Sequence, residues 1–305
     1  MSGAVASAPS ETTGTRLRLG IALTAMAALF YGALPSMVRL AYAGGADETA
    51  VMLFRSGCAA AMSVVLAKAT GRALLPPRDM RWMGLLMGAV WLVGAYSYIA
   101  SFRRIPVGLA VTIFYMFPLM VAVMARAIEG ERLSAKRILG LAVGFSGVVL
   151  AVGASIGGVE PVGVGLACIA ALGVATNITA SARVMRRSSP YAAMVMMTGG
   201  SFLALAALAP FIGLQLPVTP LGWFGLLASA VGVCAAMLCF YNAVDLIGGV
   251  RASMVCNLEP LAAIGFAFAV LGEALAPLQL LGVALVIGAI LLVQLGGHSG
   301  KPQNP

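Results

Sequence analysis

Charge is what this sequence has least of. Of its 305 residues, 19 are basic and 10 acidic, while 61% are hydrophobic and mean hydropathy is +1.01. Soluble domains carry about a quarter charged residues, so a charged share of 10% cannot cover a water-soluble surface of this size. The same hydrophobicity excludes a disordered chain. Cysteine is sparse and odd in number, which excludes a disulfide-stapled module. Cys58, Cys168, Cys234, Cys239 and Cys256 also lack metal-ligand spacing, so no metal is expected. The sole histidine, His298, lies in the C-terminal tail. The constellation of acids, bases or metal ligands that an intramembrane enzyme needs is therefore missing. There is no GxxxxGK[ST] segment to cradle a phosphate, and ATP is not the expected energy source. No basic stripe alternates with aromatics, so nucleic acid is not an expected partner despite a pI of 9.8. What remains is a polytopic membrane protein without a cofactor.

Long uncharged runs are what the chain does have. They cover 19–38, 82–102, 105–125, 138–159, 161–182, 188–244 and 274–300. A spanning helix needs about 20 mostly apolar residues. The longest run holds two spans, with Pro210, Pro217 and Pro220 marking their connection. Two more windows qualify with one charge each: 49–67 with Arg55, and 252–272 with Glu259. Ten spanning helices result, and the lack of period-two alternation rules out a barrel. The opening MSGAVASAPSETTGT is small and polar and lacks the basic-then-apolar order of a signal peptide. Residues 1–16 are expected to form a flexible cytoplasmic tail, and 297–305 a second one.

Basic residues set orientation. The N-terminus and alternate connections hold fifteen of the nineteen, among them Lys68, Arg72, Arg132, Lys136, Arg137, Arg183, Arg186, Arg187 and Lys301. The opposite connections hold only Arg103 and Arg104, and Arg39 and Arg55 fall at or within spans. Both termini are therefore expected in the cytoplasm.

The chain also repeats itself. A shift of 142 carries Pro118, Gly130-Glu131 and Gly140 onto Pro260, Gly272-Glu273 and Gly282 with identical spacing. Each repeat then holds five spans, an odd number, so the halves enter the membrane in opposite senses. The basic loop holding Arg132 has a neutral counterpart after span nine, which agrees. Inverted repeats are the architecture of carriers that expose a midplane site to each side in turn.

The segments YMFPLMVAVMARAIEGERLS and CNLEPLAAIGFAFAVLGEAL resemble the two EamA domains of the drug/metabolite transporter superfamily. AALFYG, LFRSGCAA and FYNAVDLIGG support the likeness, which covers about residues 17–296. The resemblance implies an all-α membrane protein of ten transmembrane helices arranged as two inverted five-helix repeats, 17–153 and 161–296. It implies a secondary transporter in a bacterial plasma membrane, commonly an exporter of amino acids or other small metabolites. The expected partners are a small-molecule substrate, the lipid bilayer and, as a coupling ion, protons. Efflux of lipophilic cationic drugs by proton antiport is the alternative, with a non-transporting membrane scaffold more remote.

Glu259 is the one carboxylate well inside a span, about 12 Å deeper than Arg251 at 1.5 Å per residue. Intramembrane acids usually face a cavity or a partner. Glu259 is thus a candidate for proton coupling or for binding a substrate amine, or else it braces the helix break that Pro260 creates. Arg39 and Arg55 either reach back to the interface or attract a substrate carboxylate. Substrate-binding candidates are Tyr31, Trp91, Tyr98, Tyr115, Asn177, Tyr241 and Asn257, with Tyr96 and Thr176 beside them. Tyr115 and Asn257 are equivalents at the 142 offset, so a cavity between them would offer a phenol on one side and an amide on the other. Thr176-Asn177 stands where the family often has an aromatic residue, and Tyr31-Gly32 where it often has Trp-Gly. The Gly-Glu pairs close spans, where Gly suits a helix C-terminus and the Glu organises the loop.

Overall fold

Proline and short polar side chains start most of the helices. Asp47 accepts a hydrogen bond from the Ala50 amide at 2.7 Å, Ser189 from Ala192 at 3.1 Å and Thr219 from Gly222 at 3.1 Å. Each satisfies a first-turn N–H that the helix itself cannot pair. Pro190 and Pro220 then occupy the first helical position, where their missing N–H costs nothing.

The computed structural model describes residues 11–129, 135–153, 159–185 and 189–296. Residues 1–10 and 297–305 lie outside the described residues, as do Gly130-Glu131, Arg132, Arg186, Arg187, His298 and Lys301. Every regular element among the described residues is helical. The first half holds α1 (Glu11–Ala43), α2 (Glu48–Ala69), a 3-10 turn at Arg78–Met80, α3 (Arg81–Ser101), α4 (Val107–Phe114), α5 (Phe117–Glu129) and α6 (Ala135–Gly153). The second holds α7 (Pro161–Met185), α8 (Pro190–Ile212), α9 (Pro220–Ile247), α10 (Gly249–Cys256), α11 (Glu259–Leu271) and α12 (Pro277–Gly296). The first helix starts at Glu11, inside the segment expected as tail.

Among the described residues, six helices are long and apolar enough to cross a membrane, among them Glu48–Ala69 and Pro220–Ile247. Four shorter apolar segments, Val107–Val121, Ile138–Ala151, Glu259–Leu271 and Pro277–Leu292, lie where the remaining four spans were expected. Two of these four regions are interrupted by a break. One falls at Tyr115–Met116 and the other at Asn257–Leu258, each just ahead of a proline. A proline at the second residue of a new helix withholds an N–H from the preceding turn and so favours the interruption.

The boundaries obey the 142-residue offset closely. It carries α4 onto α10 and α5 onto α11 at both ends, and the starts of α2 and α6 onto those of α8 and α12. Packing follows the same rule. Helix α1 lies against α9, and its counterpart α7 against α3, while α2 pairs with α8 and α6 with α12, each with its own equivalent. Large apolar side chains such as Leu203, Leu85, Phe145 and Val231 are exposed. That exterior suits lipid, not water.

Candidate functional site

The two breaks meet at a cavity of about 390 Å³. Tyr115 reaches it from the α4–α5 break and Glu259 from the start of α11. Tyr31 comes from α1, Trp91 and Tyr98 from α3, and Tyr241 from α9. With Arg55 of α2, seven of the residues singled out from the sequence therefore share one space. Interrupted helices supply such a site because irregular backbone at membrane depth is tolerated only against a cavity or other protein.

The wall is mostly aromatic and sulfurous. Tyr98 stacks on Phe114 with centroids 4.1 Å apart, and Phe114 and Tyr115 each touch Phe117. Tyr241 meets Tyr191 at 5.9 Å and Phe240 at 5.8 Å. Met52, Met194, Met197 and Met237 fill between them; unbranched thioethers adapt to irregular shapes.

Charge in this wall comes from two residues of opposite sign. Arg55 lines the cavity with Tyr31, Tyr98 and Glu259, and these groups, with Tyr42 nearby, act electrostatically on its guanidinium. Glu259 accepts a hydrogen bond from the Tyr115 hydroxyl. The two charges share the cavity but form no ion pair. Ion pairs among the described residues include Arg39–Glu273 at 3.2 Å, Arg103–Glu48 at 2.8 Å and Arg104–Glu160.

Those three pairs gather at one end of the bundle. Glu273 bridges Arg39 of α1 and the Val107 amide at the start of α4, at 2.8 Å. Arg39 also donates to the Phe102 carbonyl, and Arg103 donates to Ala46 and covers the Tyr42 ring at 4.5 Å. Backbone bonds Val218–Gly44 and Asp47–Gln215 join the neighbouring loops. Gly272, φ +68°, ends α11 in a left-handed turn that only glycine adopts cheaply, and so delivers Glu273 to this clasp.

Two expected residues lie elsewhere. Asn257 sits at the α10–α11 break but is not part of the cavity wall, so the phenol of Tyr115 faces the Glu259 carboxylate and not an amide. Asn177 is buried at a separate groove between α3 and α7 with Thr176. Tyr96 is within 3.4 Å of the Thr49 hydroxyl. Sequence reasoning missed Phe114 and Phe117, although they flank Tyr115 on either side of the break. It also missed Phe240, next to Tyr241.

The profile of the EamA-like transporter family matches residues 18–153 and 161–295. No curated protein matches the chain. A solved structure described only as a crystal structure of a protein shares the fold at 17% identity, covering 94% of this chain and 98% of its own, with a TM-score of 0.58. Two matched repeats spanning most of the sequence, around a cavity where two broken helices meet, place this chain in the EamA-like transporter family.

Proposed function

We propose that this membrane transporter is a secondary carrier that exports a small zwitterionic metabolite, of the amino-acid class, by alternating access. The observation that carries the reading is the coexistence of unpaired Arg55 and Glu259 in one aromatic cavity. A substrate carboxylate suits the guanidinium, with its fork of donors. A substrate ammonium suits Glu259 and the surrounding aromatic faces. A zwitterion meets both charges, whereas a lipophilic cation would leave Arg55 in the cavity uncompensated. Glu259 and the aromatic wall still support cationic drug efflux as the second reading.

The ten spans would form two inverted five-helix repeats, an arrangement supported by the shared register of the helix boundaries and by the pairing of each helix with a partner from the other half. The bias of basic residues supports cytoplasmic termini in a bacterial plasma membrane. The clasp would then close the outer end, leaving the cavity to open inward. Rocking one repeat against the other would break the clasp and expose Arg55 and Glu259 outside. Glu259 would couple the cycle to protons.

Counterflow of labelled amino acids into proteoliposomes tests the reading. Exchange of a zwitterion that is lost in both Arg55→Gln and Glu259→Gln supports it. Exchange of cationic dyes but of no amino acid would replace it with the efflux reading. If Glu259→Gln keeps full exchange and an unchanged response to an imposed pH gradient, coupling through that residue is wrong. Reporter fusions near Glu160 should lie outside and those near Arg132 inside.

A further inference from the structure

The central cavity reaches further along α2 than along its counterpart α8. On α2 it is lined by Met52, Arg55, Ser56 and Ala59, and on α8 by Met194, Met197 and Thr198. The repeat offset carries the first three of these onto the second three in order. It carries Ala59 onto Ser201, which is 0% exposed and is no part of the wall. The extra turn of wall therefore belongs to α2 alone. It lies away from the clasp: Ala59 is eleven residues past Glu48, the partner of Arg103, or about 16 Å at 1.5 Å per residue.

Ala59 belongs to an apolar cluster with Met194 and Met237, against which Tyr31, Val233 and Tyr241 pack. All six line the cavity, and none carries a charge. One turn beyond Ala59 the space ends. Ser63 is 0% exposed there, accepts a hydrogen bond from Thr198 of α8 at 3.1 Å and donates to the Ala59 carbonyl at 2.7 Å. Ser56 likewise spends its hydroxyl on its own helix, at the Leu53 carbonyl.

Arg55 stands one turn before Ala59 on the same face of α2, four residues or about 6 Å away. A substrate carboxylate at Arg55 and an ammonium at Glu259 would leave the substrate's side chain the turn beyond as its nearest space. That space offers thioether, aliphatic and aromatic groups. A charged side chain buried there would be uncompensated. A side chain no larger than hydrogen or methyl would leave it unfilled and forfeit its contacts.

We propose, on the footing of the zwitterion reading above, that the cluster around Ala59 is the subsite for the substrate's side chain. The substrate is then an amino acid with a neutral, apolar side chain of about leucine or methionine size. Ala59, the smallest side chain in that cluster, sets the length the subsite accepts.

Competition for counterflow in proteoliposomes of the full-length protein tests this with a homologous series: alanine, 2-aminobutyrate, norvaline and norleucine. Each added methylene should improve competition about fourfold. Glutamate and lysine should compete more weakly than norleucine, whose length they approach. In Ala59→Leu the gain should stop early in the series, so that the norleucine-to-alanine ratio falls about tenfold or more. Ala59→Val, a smaller intrusion, should give an intermediate ratio. A flat series in the unaltered protein, or lysine or glutamate competing as well as norleucine, overturns the proposal without relying on any variant. A ratio that survives in both variants overturns the role of Ala59. If no amino acid exchanges or competes at all, the zwitterion reading fails and takes this proposal with it.

Discussion

Replacing Glu273 by Gln should open the end of the bundle that the clasp holds. The substitution keeps shape and an acceptor but removes a negative charge that serves two partners. The first is Arg39 at 3.2 Å, with side chains 32% and 16% exposed. A partly screened pair of this kind contributes about 0.5–1 kcal/mol. The second is the Val107 amide at 2.8 Å, at the positive end of α4. A carboxylate there contributes a further ~0.5–1 kcal/mol. Both bonds tie the end of α11 to the first half; under the proposed alternating access they exist only while this end is closed, so the closed state should lose about 1–2 kcal/mol relative to the open one, a factor of about 5–30 in population. Cys256 lines the cavity and reports on that opening. With Cys58, Cys168, Cys234 and Cys239 replaced by Ser, a membrane-impermeant maleimide applied at the clasp end should label Cys256 about 5–30 times faster in Glu273→Gln. A rate equal to that of the parent would refute the view that Glu273 holds this end shut.

Other consequences can be measured separately. A Cβ on Gly225 would lie 2.5 Å from the Met37 carbonyl oxygen and 2.6 Å from the Ala41 amide, so Gly225→Ala should cost about 1–3 kcal/mol and lower the melting temperature in detergent. Gly265→Ala, where a Cβ meets nothing within 4 Å, should not lower it. The thiols of Cys58 on α2 and Cys234 on α9 are within hydrogen-bonding reach of each other beside the cavity. Oxidation with copper phenanthroline should join them, shift mobility on a non-reducing gel and stop solute exchange until a reductant is added; failure to cross-link would refute their juxtaposition. Tyr115→Phe removes the hydroxyl that donates to Glu259 while keeping the ring, and should weaken counterflow about three- to tenfold, the worth of one net hydrogen bond.

Much of the architecture could be read from the chain because lipid punishes stray charge. The gaps between charges marked the long helices, and the 142-residue offset carried Pro118 onto Pro260 before any helix end was known. The breaks themselves were only half legible. A proline marks where a helix is interrupted, but not that Tyr115 on one side and Glu259 on the other would turn towards each other. Arg55 shows the same limit. Its depth in the span is visible in the sequence, whereas its direction depends on Tyr31, Tyr42 and Tyr98, which belong to other helices. Asn177 and Asn257 stand out in the sequence by their polarity at depth, a property that does not distinguish a wall of the central cavity from another face of the same helix.

The cavity is less symmetrical than the fold around it. Under the repeat offset Arg55 corresponds to Met197 and Glu259 to Phe117, and all four line the cavity. Duplication supplied a matched pair of walls; divergence put the cation in one and the anion in the other. A dipole therefore lies across the space and is carried by the walls themselves. Under the proposed alternating-access cycle, a solute held by it would travel in one orientation, gripped at opposite ends by the two halves. Any rearrangement of the halves would then also stretch or relax that grip, so the force that loosens the solute would arise from the same motion that uncovers it.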